Sequence, residues 1–282
     1  MNRVLNLTFG ITFSILLQQC SPVKSEQLSD DETSDEYHLV WQDNFDSAEI
    51  NTQLWTIIEG NGCPDLCGFG NEELQNYTSN QNNLRIEDGV LILEAHKESK
   101  NGSEFTSAKV VTKNKGDWQY GKLVIRAKVP YGRGTWPAIW MLPTINNRDR
   151  KWPIDGEIDI MEHVGYNQGV IYGTIHSQLY NHKIGTQKVD SIAVEDSHEA
   201  FHDYGLFWEK DRMTWTVDGK EYFSLDKNDE GYEGWPFDQP HHLILNLAVG
   251  GTWGGSRGVD MQIWPQRLEI DFVKVYQKQD EI

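Results

Sequence analysis

The sequence predicts an all-β chain: two stacked antiparallel sheets, a β-sandwich or jelly roll, in one globular domain. Three observations predict it. Short runs that alternate or are rich in β-branched residues recur along the chain. A two-residue hairpin signal, Asp218-Gly219, lies between Trp215-Thr-Val217 and Glu221-Tyr-Phe223. No segment carries three turns of helical periodicity, although Val194–Phe201 is expected to form a short helix.

In chain order the strand segments are Val90–Lys97, Ser107–Lys113, Lys122–Val129, Arg212–Val217, His242–Val249 and Leu268–Tyr276. They leave the first part of the chain outside the fold. Arg3 precedes a largely apolar run, Val4 to Leu17, too short to span a membrane comfortably and placed where an export signal sits. Residues 1–19 are therefore expected to be a signal peptide. Cys20 follows it, where a bacterial lipoprotein is lipidated, although Gln18 and Gln19 stand where small residues are usual. Either lipid anchoring or plain cleavage and secretion follows from this pattern. Residues 20–36 form an acidic tether: Ser21 to Glu36 hold six acids, one Lys and no aromatic residue. The globular domain is expected over residues 37–282.

The formal charge of −18, from 43 acids against 25 bases, argues against nucleic acid as partner, because phosphates demand a basic patch. A neutral ligand fits better. With 11 Trp in 282 residues a sugar is attractive, since a pyranose offers an apolar C–H face to an aromatic ring. Two cysteines remain in Cys63-Pro-Asp-Leu-Cys67. Export makes a local disulfide the expectation, with free thiols as the alternative; a metal would need two further soft ligands.

The chemistry is concentrated in Asp155-Gly-Glu-Ile-Asp-Ile-Met-Glu-His163. Side chains alternate along a strand, so Glu157 and Asp159 share one face while Ile158 and Ile160 point into the core. Glu162 has the wrong parity, and a regular strand would bury its carboxylate among apolar side chains at high cost. A β-bulge near Ile160-Met161 adds one residue and returns Glu162 to the face of the other acids. Four strand steps then separate Glu157 from Glu162, roughly 13 Å between Cα atoms at about 3.3 Å per step. Carboxyls leaning together across that gap reach roughly 5–6 Å, the spacing of retaining rather than inverting glycoside hydrolysis. Three crowded carboxyls raise at least one pKa, as a general acid requires. The bland alternative is a solvated acidic edge strand; another is a metal site of Glu157, Asp159, Glu162 and His176.

Trp136 and Trp140 (in Gly134-Thr-Trp-Pro-Ala-Ile-Trp140), Trp152 (before Pro153) and Trp253 (in Gly250-Gly-Thr-Trp-Gly-Gly255) are poorly placed for a sheet core. They are candidate sugar platforms, and Arg133 and His176 are candidate hydrogen-bonding partners of a substrate.

Glu157-Ile-Asp159-Ile-Met-Glu162 matches the E-x-D-x-x-E signature of glycoside hydrolase family 16 in its bulged form. From about Leu39 to Tyr276 the chain resembles the bacterial laminarinase-type, endo-1,3-β-glucanase branch. Further segments carrying the likeness are Cys63 to Gln75, Trp136 to Trp140, Glu162-His-Val-Gly-Tyr166 and Asn246 to Trp253. The resemblance implies a jelly roll with a concave cleft, Glu157 as nucleophile, Glu162 as acid/base and Asp159 as assisting carboxylate. It implies a β-1,3-glucan or mixed-linkage β-1,3-1,4-glucan as substrate, no catalytic cofactor and a monomer. It also implies a structural calcium, at positions matched here by Asn44, Gly89 and Asp271; the first is commonly Glu in laminarinases. Phe69 and Asn76, where relatives often carry Trp and Tyr, are expected to alter a distal subsite. Agarase or carrageenase activity, or a non-catalytic glucan-binding sandwich, are the alternatives.

Overall fold

The structure, a computed structural model, describes Met1, residues 37–145 and residues 151–279. The proposed signal, Cys20 and the tether lie outside the described residues. The first strand, Tyr37–Asp43, begins where the acidic composition ends.

Two eight-stranded antiparallel sheets stack on each other. The back sheet runs Lys220–Asp226, Arg212–Val217, His202–Trp208, Gly121–Lys128, Gln266–Lys278, Val90–Ala95, Leu84–Glu87, and Tyr37–Asp43 also pairs with Gln266–Lys278. The front sheet runs Lys188–Ala193, Val170–His176, Glu157–Glu162, Thr135–Pro143, His241–Val249, Lys109–Val111, Thr56–Ile57, with Asp117–Trp118 also on His241–Val249. Asp218-Gly219 forms the anticipated two-residue turn, with both residues at positive φ and Val217 opposite Lys220.

Period-two burial explains which face of each back strand meets the core. In Gly121–Lys128 the side chains of Leu123, Ile125 and Ala127 are fully buried, while Lys122, Val124, Arg126 and Lys128 stay half-buried on the outer face. His241–Val249 is buried on both faces, which accounts for its nearly unbroken apolar run. Leu243, Leu245 and Leu247 point to the core; on its other face Ile244 packs with Val111 and Leu142, and Asn246 bonds the Tyr77 hydroxyl.

Two sequence expectations need correction. Ser107–Lys113 is not one strand: Phe105–Ser107 pairs parallel with Gln75–Tyr77, and Lys109–Val111 pairs antiparallel with His241–Val249. The chain changes partner at Ala108, whose carbonyl accepts from Leu247 N–H. Nor do residues 194–201 form a helix. The segment makes successive turns instead, with Ser197 N–H bonding the Val194 carbonyl and Ala200 N–H the Asp196 carbonyl, while the Ser197 carbonyl is taken by Val129 N–H from outside the segment.

Gly165 closes the front strand that carries the acids onto the turn at Gly132. A Cβ there would stand 1.8 Å from the Gly132 carbonyl oxygen, a backbone atom that no rotamer change can move, and 2.5 Å from Thr135 Oγ1. We expect Gly165→Ala to destabilise the protein by about 1–3 kcal/mol, the usual range for overpacking, read as a lower urea midpoint; an unchanged midpoint would contradict this packing.

Candidate active site

The acid-bearing strand Glu157–Glu162 carries its bulge where parity demands it. Against Thr135–Pro143, Met161 faces Ile139 but Asp159 faces Trp140, so Ile160 is the extra residue. Against Val170–His176, Asp159 faces Thr174 and Glu162 faces Tyr172, again one residue too many on the acid strand. Ile158, Ile160 and Met161 all enter the core, and Glu157, Asp159 and Glu162 line the opposite face. A bulge disrupts its ladder, and here a core residue answers one exposed group: Trp215 of the back sheet donates Nε1–H to the Asp159 carbonyl at 2.8 Å.

The strand is anchored at its start by Asp155. This fully buried carboxylate accepts from Lys151 N–H at 2.6 Å and from the Tyr232 hydroxyl at 3.0 Å, and its carbonyl accepts from Gln239.

The ladder places His176 opposite Glu157, and Nε2 of His176 lies 3.7 Å from Glu157 Oε1 and 3.6 Å from Asp159 Oδ2. Two indoles hold the outer acids. Trp136 Nε1 donates to Glu162 Oε1 at 3.0 Å, and Trp152 Nε1 donates to Glu157 Oε2 at 3.1 Å. One oxygen of each carboxylate is thereby fixed in orientation.

Burial makes these acids unequal to ordinary surface carboxylates. Desolvation pushes Glu162 up to about 7, opposed by the Trp136 hydrogen bond. Desolvation first, then the negative charges of Glu162 and Glu157, hold Asp159 well above its usual range. Burial, assisted by His182, pulls His176 down to about 3, so its imidazole is neutral at neutral pH.

Three contiguous hollows of about 420, 80 and 280 Å³ form the cleft, and Glu157 borders all of them. Trp253 stands in the largest, edge-on to Trp136 and Tyr172 at 5.6 and 5.2 Å. Trp140 lines the small and the 280 Å³ hollows, and Trp152 lines the latter. The four tryptophans singled out from the sequence are thus brought to one cleft. Arg133 is not: it is exposed, donates to the Arg257 carbonyl at 3.2 Å and lines none of the hollows. Phe69 lines the cleft, whereas Asn76 is buried in the short parallel pair, its amide donating to the Tyr77 carbonyl, so the expectation that it shapes a subsite is corrected.

Sequence reasoning missed the far wall. Asn71, Glu73, Tyr77, Lys109 and Asn246 line the small hollow beside the acids. Asn246 accepts from Trp140 Nε1 at 2.6 Å and donates to the Tyr77 hydroxyl at 3.1 Å, linking the platform to that wall. Lys109 lies 5.0 Å from the Trp140 ring centre and 4.9 Å from that of Phe69. These residues come from three separate segments, and only the fold joins them.

Cys63 and Cys67 are joined by a disulfide in the loop that carries Phe69. On the back sheet, Asp271 sits at a register irregularity between Ile270 and Phe272, Val273 pairs with Asp43, and Ile270 pairs with Leu91. The ladders therefore carry Asn44, Gly89 and Asp271 to one corner. Asp271 Oδ2 lies 3.4 Å from Arg126 Nε.

With the geometry in view, comparison with known proteins decides the family. The model of the glycosyl hydrolases family 16 matches residues 71–274. The chain belongs to that family. It is 46% identical over 248 residues to a β-glucanase of Rhodothermus marinus, covering 85% of each chain. The solved laminarinase of Rhodothermus marinus superposes with a TM-score of 0.81 at 46% identity, over 86% of this chain and 98% of that one. SCLam, a non-specific endo-β-1,3(4)-glucanase, superposes at 0.80 with 41% identity, over 87% and 93%. The laminarinase catalytic domain of Thermotoga maritima gives 0.79 at 38%, over 86% and 99%.

The direction of the Glu162 shift sets a pH test. An acid that must be protonated to act loses activity as pH rises through its pKa, so kcat/KM should fall on a basic limb near pH 7. Trp136→Phe removes the hydrogen bond that lowers this pKa, and its limb should move to higher pH even as the rate falls. An unmoved limb would separate Glu162 from the titration.

Proposed function

We propose that this protein is a retaining endo-β-1,3-glucanase acting on laminarin-type glucan and on mixed-linkage β-1,3-1,4-glucan. The observation that carries the reading is the bulge that brings Glu157, Asp159 and Glu162 onto one face of a tryptophan-lined cleft. The relatives named as laminarinase and endo-β-1,3(4)-glucanase support the substrate class.

In this mechanism the chain binds across the three hollows, its sugar faces against Trp136, Trp140, Trp152 and Trp253. Glu162, kept protonated near neutral pH by burial, gives its proton to the glycosidic oxygen. Glu157 attacks the anomeric carbon through the oxygen that Trp152 does not hold, and a glycosyl-enzyme forms. Asp159, whose carboxyl is held well above its usual range by burial and its neighbours' charges, resists adding a third negative charge beside the nucleophile. Glu162, now ionised, takes a proton from water, which attacks the same carbon and releases the sugar with its original configuration. Neutral His176 packs against the pair without adding charge.

The protein is proposed to act outside the cytoplasm as a monomer, secreted or lipid-anchored through Cys20. A calcium ion at Asn44, Gly89 and Asp271 would steady the back sheet and take no part in catalysis. The donors fit only a weak site: Asp271 supplies the one carboxylate and shares it with Arg126, where calcium sites use six to eight oxygens. We expect chelation with EDTA to lower the thermal midpoint by no more than a few degrees, and millimolar Ca²⁺ to restore it; loss of laminarin hydrolysis on chelation would contradict a purely structural ion.

The activity itself is tested with Glu157→Gln and Glu162→Gln on laminarin. Each should reduce turnover by roughly 10³-fold or more, while thermal unfolding stays near wild type. Proton NMR of the first reducing ends should show the β-anomer. Near wild-type turnover in Glu157→Gln, or initial α-anomer, would overturn the assignment.

A further inference from the structure

We propose that the catalytic face is also a binding site for a borderline divalent transition cation, with Zn²⁺ as the model ion, held by Glu157 Oε1, Asp159 Oδ2 and His176 Nε2. The ion inhibits the enzyme by occupying the nucleophile.

Three observations carry this. The first is spacing. His176 Nε2 stands 3.7 Å from Glu157 Oε1 and 3.6 Å from Asp159 Oδ2, and one donor atom from each of the three side chains lies within 4.8 Å of the other two. A tetrahedral ion with N and O ligands at about 2.0–2.2 Å separates neighbouring ligands by about 3.3–3.6 Å. The His176 separations are thus within a few tenths of an ångström of what the ion needs.

The second is an unanswered acceptor. Asp159 is 3% exposed, and its Oδ2 accepts no hydrogen bond although it is buried and directed at the other two donors. Buried polar atoms are ordinarily satisfied, so this oxygen is a candidate ligand, and a cation bound there would displace the acid's proton into solvent. The third is the ligand set. Two carboxylate oxygens and an imidazole suit Zn²⁺ or Cu²⁺, whereas Ca²⁺ and Mg²⁺ take larger, all-oxygen shells. Among the described residues, no other three His, Cys, Asp or Glu side chains converge in this way.

The consequence for the enzyme is competitive. Trp152 Nε1 bonds Glu157 Oε2, and a cation drawn to Oε1 would neutralise the carboxylate that must attack the anomeric carbon. The fourth ligand position opens to the cleft, where Glu157 and His176 both line the largest hollow. Glucan and metal therefore exclude each other.

Isothermal titration of the untagged protein with ZnCl₂ tests the site. We expect one ion per chain, affinity reduced roughly tenfold or more in His176→Gln and in Asp159→Asn, and similar weakening when laminaritriose saturates the cleft. Zinc-edge anomalous diffraction from wild-type crystals should place one peak between the three donors, whether or not a variant folds. Undiminished affinity in both variants, a peak at another histidine, or no binding would overturn the proposal. Binding is read without turnover, so its failure leaves the glucanase reading standing, and failed hydrolysis leaves this site testable.

Discussion

One extra residue in one strand is the constraint on which the rest of the molecule depends. Five positions separate Glu157 from Glu162, and a regular strand would drive Glu162 into the packed interior beside Ile158. Ile160 and Met161 instead enter the core in succession, which shifts the register against both neighbouring strands at the same place. The irregularity is held from both sides. Trp215 crosses from the back sheet to bond the Asp159 carbonyl, and Gly165 seats the end of the strand against Gly132 with no room for a methyl group.

The energetic consequence is a row of carboxylates in a dry place. Desolvation is the leading cause of the raised pKa of both Asp159 and Glu162, and mutual repulsion adds to it at Asp159. Such a row is costly to folding at pH values where all its members ionise. A group whose folded pKa lies above its unfolded value contributes stability that is lost as pH rises through the folded value. The same cost supplies a proton donor near neutral pH. The indoles of Trp136 and Trp152 each orient one of the two glutamates by bonding one of its oxygens.

Much of this could be read before any coordinates. The parity of Glu162 implied the bulge because side-chain alternation is a strict rule and burying an unpaired carboxylate is expensive. The tryptophans beside Pro or within glycine-rich loops pointed to a cleft, and they line it, although Trp136 and Trp140 reach it from the central strand Thr135–Pro143 rather than from a loop. The far wall was illegible, because Asn71, Glu73, Lys109 and Asn246 have no shared local pattern and meet only through pairing across the front sheet. Residues 194–201 misled because helical propensity is a local quantity, while the Ser197 carbonyl is claimed by Val129, a residue distant in sequence. Asn76 misled by analogy: a position that varies between relatives need not face the substrate, and here it faces the interior.

The central claim is that the two bulge-aligned glutamates act on opposite steps of one displacement at a single carbon. Azide rescue tests it most directly, because a small anion replaces whichever carboxylate has been removed. Glu157→Ala with azide should yield an α-glucosyl azide, formed by attack in place of the nucleophile. Glu162→Ala with azide should yield a β-glucosyl azide, formed by attack on the glycosyl-enzyme. The reverse pairing, or the same anomer from both variants, would contradict the account.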